Sequence, residues 1–193
     1  MNLLKKRWLY VAAIIAALLQ TSVMLAGVQQ RISILRNGSE VVLRTMPVDP
    51  RDLMRGDFVT LSYEISRLPA RLISGEPPHK SGLNYIYVVV VKQADGVWTA
   101  DRAQYTRPDA LKDNEMVLRG EVEAPFQIYD DNSTIPVVYG IERYYVPEGE
   151  GLAVEHAQRD SAVDIVLSVN EKGVAAIRAL RIDGKQVFDE PLF

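Results

Sequence analysis

Two clusters of carboxylates are the side chains in this 193-residue sequence that best suit acid/base chemistry. They are Asp49, Asp52 and Asp57 in the first half, and Glu142, Glu148 and Glu155 in the second. Two carboxyl groups held about 5–10 Å apart can hydrolyse a glycosidic bond, one as acid and the other as base or nucleophile. One hypothesis is therefore a hydrolase of envelope glycan or peptide, provided that a cleft brings two of these groups together.

Arginines accompany both clusters and favour a different interpretation. Arg51 and Arg55 lie among the aspartates, and Arg143 follows Glu142 directly. Such groups more often form internal ion pairs than catalytic pairs, because the guanidinium fork matches a carboxylate. We therefore assign no catalytic residue and treat these charged residues as a candidate interaction cluster.

Tyrosines suggest a further hypothesis, a small-ligand binding module. An apolar ring with a polar tip suits a sugar- or peptide-binding groove, but it suits a half-buried strand equally well. The tyrosines concerned are Tyr63, Tyr85, Tyr87, Tyr129, Tyr139, Tyr144 and Tyr145.

Signatures of metal sites, cofactors and activated nucleophiles are missing from the sequence. The two histidines, His79 and His156, share no metal-ligand spacing, and there is no cysteine. No glycine-rich loop of the kind that holds phosphate appears. We expect no metal site, no cofactor and, on balance, no enzyme.

The elements around the first cluster have a plain structural interpretation. Residues 49–56 predict one helical turn, which Asp49 caps and Gly56 ends. Residues 57–65 predict a strand that Asp57 opens, with Val59, Leu61, Tyr63 and Ile65 alternating onto a buried face. Phe58 would then help to cover the opposite face.

The rest of the chain after residue 30 reads as short strands and tight turns. Asn37-Gly38 predicts a hairpin turn between strands at 32–36 and 40–48. Residues 66–82 predict an exposed loop, residues 85–91 a central strand covered on both faces, and residues 151–159 a short helix. Asp95-Gly96 and Asp183-Gly184 predict tight turns. Roughly nine or ten strands indicate a mainly β fold with short helices, an antiparallel sandwich or partly open barrel.

Along the second cluster, predicted strand alternation places Ile141, Arg143 and Tyr145 on one face. Glu142, Tyr144 and Val146 fall on the other.

An apolar segment at residues 8–28 predicts a single transmembrane helix. It follows Lys5, Lys6 and Arg7, it contains no charged residue, and as a helix it would span about 31 Å, close to the bilayer core. The basic residues predict a cytoplasmic N terminus. The segment is longer than a signal-peptide core and lacks a small-residue cleavage site, so an uncleaved anchor is favoured. Residues 1–30 then form the cytoplasmic tip and anchor, and residues 31–193 one extracytoplasmic domain.

The predicted domain is acidic. Residues 31–193 carry 19 basic and 25 acidic side chains. A net charge of −6 argues against nucleic acid as a partner, and against an anionic membrane surface, since both need a basic footprint.

Residues 56–63, with sequence GDFVTLSY, resemble the bacterial family named for its GDYXXLXY motif. Gly56, Asp57, Leu61 and Tyr63 fit the motif, whereas Phe58 stands in place of its first tyrosine. Residues 47–53 resemble the family's lead-in, and residues 139–149, with Glu155 beyond them, resemble its second block.

The resemblance implies a protein of the bacterial inner membrane with a periplasmic domain, in a functionally uncharacterised family often encoded beside multi-pass membrane proteins. Our leading hypothesis is therefore a non-enzymatic partner of another envelope or integral membrane protein. The lipid bilayer would contact residues 8–28, and the hydrolase and the ligand-binding module remain as alternatives.

Overall fold

The computed structural model describes residues 2–47, 58–76, 81–124, 130, 133–146, 154, 157–158 and 163–189. They form one long helix and thirteen strands. Helix α1 is Asn2–Asn37, and two 3₁₀ turns span Glu64–Ser66 and Ala70–Leu72. The strands are β1 Ser39–Met46, β2 Phe58–Thr60, β3 Ser62–Tyr63, β4 Arg67–Pro69, β5 Ile73–Ser74, β6 Gly82–Lys92, β7 Trp98–Gln104, β8 Glu115–Ala124, β9 Thr134–Pro136, β10 Arg143–Tyr145, β11 Val163–Val169, β12 Ala175–Ile182 and β13 Lys185–Asp189.

Helix α1 replaces the predicted strand at 32–36, so the predicted hairpin is wrong. Ile34 and Leu35 are buried and pack against Ala176 and Val174 of the β domain. Gly38 ends the helix by donating its N–H to the Ile34 carbonyl. A Cβ at Gly38 would lie 2.4 Å from Ser168 Oγ, so the glycine allows a close approach to β11 rather than a hairpin turn.

One sheet has five strands in the order β13-β12-β11-β1-β3. The β12–β13 hairpin confirms the predicted turn at Asp183-Gly184, where both residues have positive φ angles of 50° and 74°. Strand β1 lies antiparallel to β11. Strand β11 also contacts the end of α1: Ser168 Oγ donates a hydrogen bond to the Ile34 carbonyl.

A second sheet has four strands in the order β5-β7-β6-β8, with β5 parallel to β7. Its central strand β6 contains the predicted strand 85–91, and Val88, Val89 and Val90 are all fully buried. The predicted exposed loop at 66–82 is wrong in part. Residues 67–74 form β4, a 3₁₀ turn and β5. The Leu68 side chain is fully buried in the core, which holds this segment against the rest of the fold.

The two sheets share one hydrophobic core. It contains Val41 and Leu43 of β1 together with Ile86 and Val88 of β6. The mainly β fold with one long N-terminal apolar helix is confirmed, and the described strands form several sheets without closing into a barrel. Of the predicted helix at 151–159, the described residues Val154, Ala157 and Gln158 are helical.

Candidate functional site

The two segments that carry the predicted site residues lie side by side. Strand β2 pairs antiparallel with β10, with Phe58 opposite Tyr145 and Thr60 opposite Arg143. The next backbone contact continues the pairing, since the Leu61 N–H donates to the Glu142 carbonyl over 2.8 Å. The described parts of the two motif blocks, residues 58–61 and 142–145, therefore form one backbone unit.

The same register resumes further along both segments. Arg67 lies opposite Pro136 in the pairing of β4 with β9, seven positions beyond Thr60 on one segment and seven before Arg143 on the other. The Val137 N–H also donates to the Ser66 carbonyl over 3.0 Å. Residues 58–69 and 134–145 thus form one antiparallel ladder with an interruption of four residues on each side. We call this pair of segments the motif ribbon.

Each interrupted segment turns away to pair with a different sheet. Ser62 and Tyr63 form β3, which pairs with the end of β1 in the five-stranded sheet. On the other segment, Val138 bridges to Glu121 at the edge of the four-stranded sheet. The motif ribbon therefore ties together the two sheets that enclose the core.

Two buried tyrosines close the interruption reciprocally. The Tyr63 hydroxyl donates to the Ile141 carbonyl over 2.7 Å, and the Tyr139 hydroxyl donates to the Ile65 carbonyl over 2.8 Å. These bonds satisfy two carbonyls that lack a ladder partner at the gap. Burial raises the pKa of both hydroxyls well above its usual range, and the nearby Glu142 carboxylate adds to this effect. Both groups therefore stay protonated and act as donors.

Glu142 and Gly120 shape the same junction. The Glu142 carboxylate accepts a hydrogen bond from the Tyr139 N–H, so one of its oxygens holds the turn at 139–142. Gly120 of β8 makes room for the other segment, because a Cβ there would lie 2.3 Å from Val137 Cγ1 and 3.0 Å from the Tyr139 ring.

The described candidate residues divide between core and surface. Leu61, Tyr63 and Tyr144 are buried, whereas Arg143 and Tyr145 point outwards. The predicted alternation of Val59, Leu61, Tyr63 and Ile65 onto a buried face is confirmed, although a 3₁₀ turn begins at Glu64. Phe58 lies on the ribbon through its backbone pairing. The other candidates lie outside the described residues: Asp49, Arg51, Asp52, Arg55, Gly56, Asp57, Glu148 and Glu155.

The alternative hypotheses gain no support from the described geometry. Of the six candidate hydrolase carboxylates, Glu142 is the one described, and it is bonded within the turn. Among the described tyrosines of the proposed groove, Tyr63, Tyr139 and Tyr144 are buried in the core and do not line a surface groove; Tyr129 lies outside the described residues. Beside Tyr63 there is a space of about 20 Å³, enough for one water molecule. A shallow depression of about 210 Å³ lies elsewhere and shares none of the predicted tyrosines; it is lined by Ser74, Gly75, Glu76, Gln104, Tyr105 and Thr106.

An ion pair on the four-stranded sheet was not predicted from the sequence. Both terminal nitrogens of Arg102 bind the two Glu115 oxygens over 2.9 and 2.8 Å. The Arg102 guanidinium, with help from the Lys112 N–H, lowers the pKa of the Glu115 carboxyl to about 2. Since β6 lies between β7 and β8, the pair spans the outer face of β6, where Val89 is buried beneath it. The pairing of Arg102 with Glu115 becomes apparent only when the register of strands β6, β7 and β8 is known.

A comparison with protein-family models places the chain. The model described as "GDYXXLXY protein" matches residues 20–180, which is most of the sequence. The chain belongs to the GDYXXLXY protein family. In this GDYXXLXY protein, Leu61 of the motif is buried in the core. Tyr63, the motif's second tyrosine, is also buried and bonds across the interruption of the motif ribbon. Among curated proteins and among solved structures, the comparisons find no match. Within the described residues, no group of three His, Asp or Glu side chains is placed to hold a metal ion.

Proposed function

We propose that this GDYXXLXY protein is a membrane-anchored interaction domain of the bacterial envelope, which binds another envelope or integral membrane protein without catalysing a reaction. In this proposal α1 is an uncleaved signal-anchor in the inner membrane, with Lys5, Lys6 and Arg7 in the cytoplasm. Residues 31–193 form the periplasmic domain. The proposal depends first on the anchor and second on the outward face of the motif ribbon.

The observation that carries the anchor is the uncovered apolar surface of α1. Tyr10–Asn37 is long and apolar enough to cross a membrane, and none of its most apolar stretch is buried by the domain. Leu18, Leu19 and Met24 each expose more than 60% of their surface. A helix that is apolar on every side needs an apolar environment, and a bilayer supplies it while the helix satisfies its own backbone.

The outward face of the motif ribbon supports the interaction. Tyr145 is 71% exposed, and Arg143 and Thr60, which lie opposite each other in the ladder, are exposed beside it. Tyrosine and arginine are enriched among residues that dominate binding energy at protein interfaces. The inward neighbours Val59 and Tyr144 are buried, so this face rests on a packed core. A rigid surface loses little entropy when a partner binds.

The anchor is tested by topology and extraction of the full-length chain. A reporter fused after Phe193 that is active only outside the cytoplasm should be active, and alkaline carbonate should leave the protein in the membrane fraction. A reporter that is active only in the cytosol, or a freely soluble mature protein, would contradict the proposal.

The interaction is tested by photocrosslinking from the full chain in intact cells. A photoreactive phenylalanine analogue at Tyr145 should capture the same discrete membrane protein in repeated experiments. The matched position is Val187, which is 47% exposed on β13. Strand β13 is the edge of the five-stranded sheet opposite β3 of the motif ribbon, so this position should not capture that protein. Tyr145→Ala should lower recovery of the partner several-fold in mild detergent. Identical products from both positions would count against a partner at the ribbon.

A further inference from the structure

The end of α1 is joined to the β domain at a defined height above the membrane. Ile34 and Leu35 pack against Val174 and Ala176, and Ser168 Oγ binds the Ile34 carbonyl over 2.6 Å. The apolar segment ends at Val28, six residues before Ile34, so these contacts lie about 9 Å beyond the hydrocarbon edge. A headgroup layer is about 5–7 Å thick per leaflet. The Ile34 contacts with β11 and β12 would therefore lie about 2–4 Å outside the headgroup layer, within reach of long side chains.

Three cationic side chains lie near this joint. Lys172 is exposed in the β11–β12 turn, and Arg107 is fastened there because its guanidinium donates to the Glu171 carbonyl. Arg31 lies three and four residues before Ile34 and Leu35, on the same helix face and one turn closer to the bilayer. We call Arg31, Arg107 and Lys172 the juxtamembrane rim. Glu171 of the turn and Asp109, two residues after Arg107, are exposed acidic residues of the same segments, and the three cations outnumber these two.

Arg119, Tyr85 and Leu83 adjoin this rim, and Glu121 and Glu123 of β8 pair with Tyr85 and Leu83. The Arg119 N–H donates to the Gly173 carbonyl over 2.8 Å, and the Arg119 guanidinium carbon lies 4.6 Å from the centre of the Tyr85 ring. Tyr85 is half exposed, and Leu83, on the same face of β6, is largely exposed. Tyrosine beside arginine is the combination that membrane–water interfaces favour.

We propose that the juxtamembrane rim binds the anionic phospholipid headgroups of the membrane that α1 spans, which seats the β domain on the lipid surface. The long Lys172 and Arg107 side chains would reach down to phosphate, and Arg31 would meet it from the helix. The proposal rests on the anchor in the proposed function. It concerns local charge, since the negative sum for residues 31–193 does not describe the rim.

The location is tested with single-cysteine labels, because the chain has no cysteine of its own. Lys172→Cys and Lys185→Cys place a fluorophore at exposed positions beside the turns at opposite ends of β12. Lys185 lies opposite Ile182, seven residues and about 23 Å along the strand from Ala175. In full-length protein reconstituted into vesicles with headgroup spin-labelled phosphatidylcholine, the label at 172 should be quenched at least twofold more than the label at 185. Glu171→Cys provides a second label position if Lys172→Cys folds poorly.

The charge preference is tested by native mass spectrometry of the full chain released from vesicles with equal phosphatidylglycerol and phosphatidylcholine. Phosphatidylglycerol adducts should exceed phosphatidylcholine adducts several-fold. Lys172→Glu should reduce this ratio at least twofold, and the matched charge reversal Lys185→Glu should leave it unchanged.

Equal quenching at both label positions, or equal adducts of the two lipids, would overturn the rim in a chain that resists carbonate extraction. Release of the chain by carbonate would overturn the anchor and this proposal together. Adducts that depend equally on Lys172 and Lys185 would show a non-specific charge effect and would also overturn the rim.

Discussion

Tyr63 and Tyr139 occupy equivalent positions on the two segments of the motif ribbon. Each ring enters the core beside the interruption, and each hydroxyl binds a carbonyl of the opposite segment. A buried carbonyl that loses its partner costs about 1–3 kcal/mol, more than the net gain from an average hydrogen bond. The motif's second tyrosine therefore contributes a stabilising bond that phenylalanine cannot make.

We expect Tyr63→Phe and Tyr139→Phe each to lower the free energy of unfolding by about 1–3 kcal/mol, because each leaves one buried carbonyl unpaired. Tyr85→Phe is the control, since its half-exposed ring can keep the stack on Arg119. Chemical denaturation of the full chain in detergent checks this. A destabilisation by Tyr85→Phe as large as the other two would contradict the structural role of the hydroxyls.

The Glu115 ion pair makes the stability of the folded protein depend on pH in the acidic range. Its folded pKa of about 2 lies below the ordinary value of 4.5, so its ion pair contributes stability that is complete above about pH 4.5. That contribution is lost as the pH falls from about 4.5 towards 2, where the folded carboxyl takes up its proton. Glu115→Gln should therefore be less stable than the unmodified chain at pH 7, with the difference shrinking below pH 4.5. Denaturation curves across this range measure it, with exposed Glu123→Gln on the same strand as the control. A difference that stays constant down to pH 2 would contradict the assignment.

At the scale of elements, the motif ribbon is a ladder that keeps its register across a gap. Both segments leave the ladder for the same number of residues, so the pairing of β2 with β10 and of β4 with β9 stays in phase. A one-residue slip would turn Val59 and Leu68 on one segment, or Ile135 on the other, to the wrong face. The equal lengths of the two excursions therefore preserve the core on both sides of the junction.

Gly120→Ala tests the junction between the ribbon and β8. The new methyl group would lie 2.3 Å from Val137 Cγ1, and such overpacking costs about 1–3 kcal/mol. Val137→Ala removes Cγ1, the atom with which the new methyl group clashes. The double variant should therefore be more stable than the sum of the two single effects predicts. Denaturation of the four proteins in a double-mutant cycle measures this coupling. Simple additivity would show that the two residues do not meet.

At the scale of the whole molecule, the C-terminal end of α1 packs directly on the β domain through Ile34, Leu35 and Gly38. The helix ends where Gly38 meets β11, and strand β1 starts at the next residue, Ser39. Only Gly38 separates α1 from the first strand. In the anchored state proposed above, a domain joined so closely to α1 would take its orientation from the membrane, which would favour partners that lie in or on the same bilayer.

Ser168→Ala should loosen this joint without unfolding the domain. The Ile34 carbonyl keeps its bond from the Gly38 N–H, so the loss should be near 1 kcal/mol. Hydrogen exchange of the backbone amides at 36–39 should become several-fold faster, whereas exchange in β6 should not change. Ser39→Ala, at an exposed position, is the control. Unchanged exchange at 36–39 in Ser168→Ala would show that apolar packing alone holds the helix end.

Local patterns predicted the parts of this protein whose physics is local. The period of two at Val59, Leu61, Tyr63 and Ile65 predicted their common buried face, and Asp183-Gly184 predicted its turn, because side-chain alternation and positive φ are properties of neighbouring residues. The length and apolarity of residues 8–28 indicated a helix suited to a bilayer.

Tertiary contacts decided what local patterns could not. Asn37-Gly38 has the composition of a hairpin turn, but the packing of Ile34 and Leu35 against Val174 and Ala176 made it the end of a helix. Residues 67–74 have the composition of a loop, yet the Leu68 side chain is fully buried in the core. The meeting of the two motif blocks depends on pairing between residues roughly 65–90 positions apart, as from Pro69 to Thr134 and from Phe58 to Tyr145. A local pattern in one block cannot show which distant segment it pairs with, because that pairing forms only when both sheets close over one core.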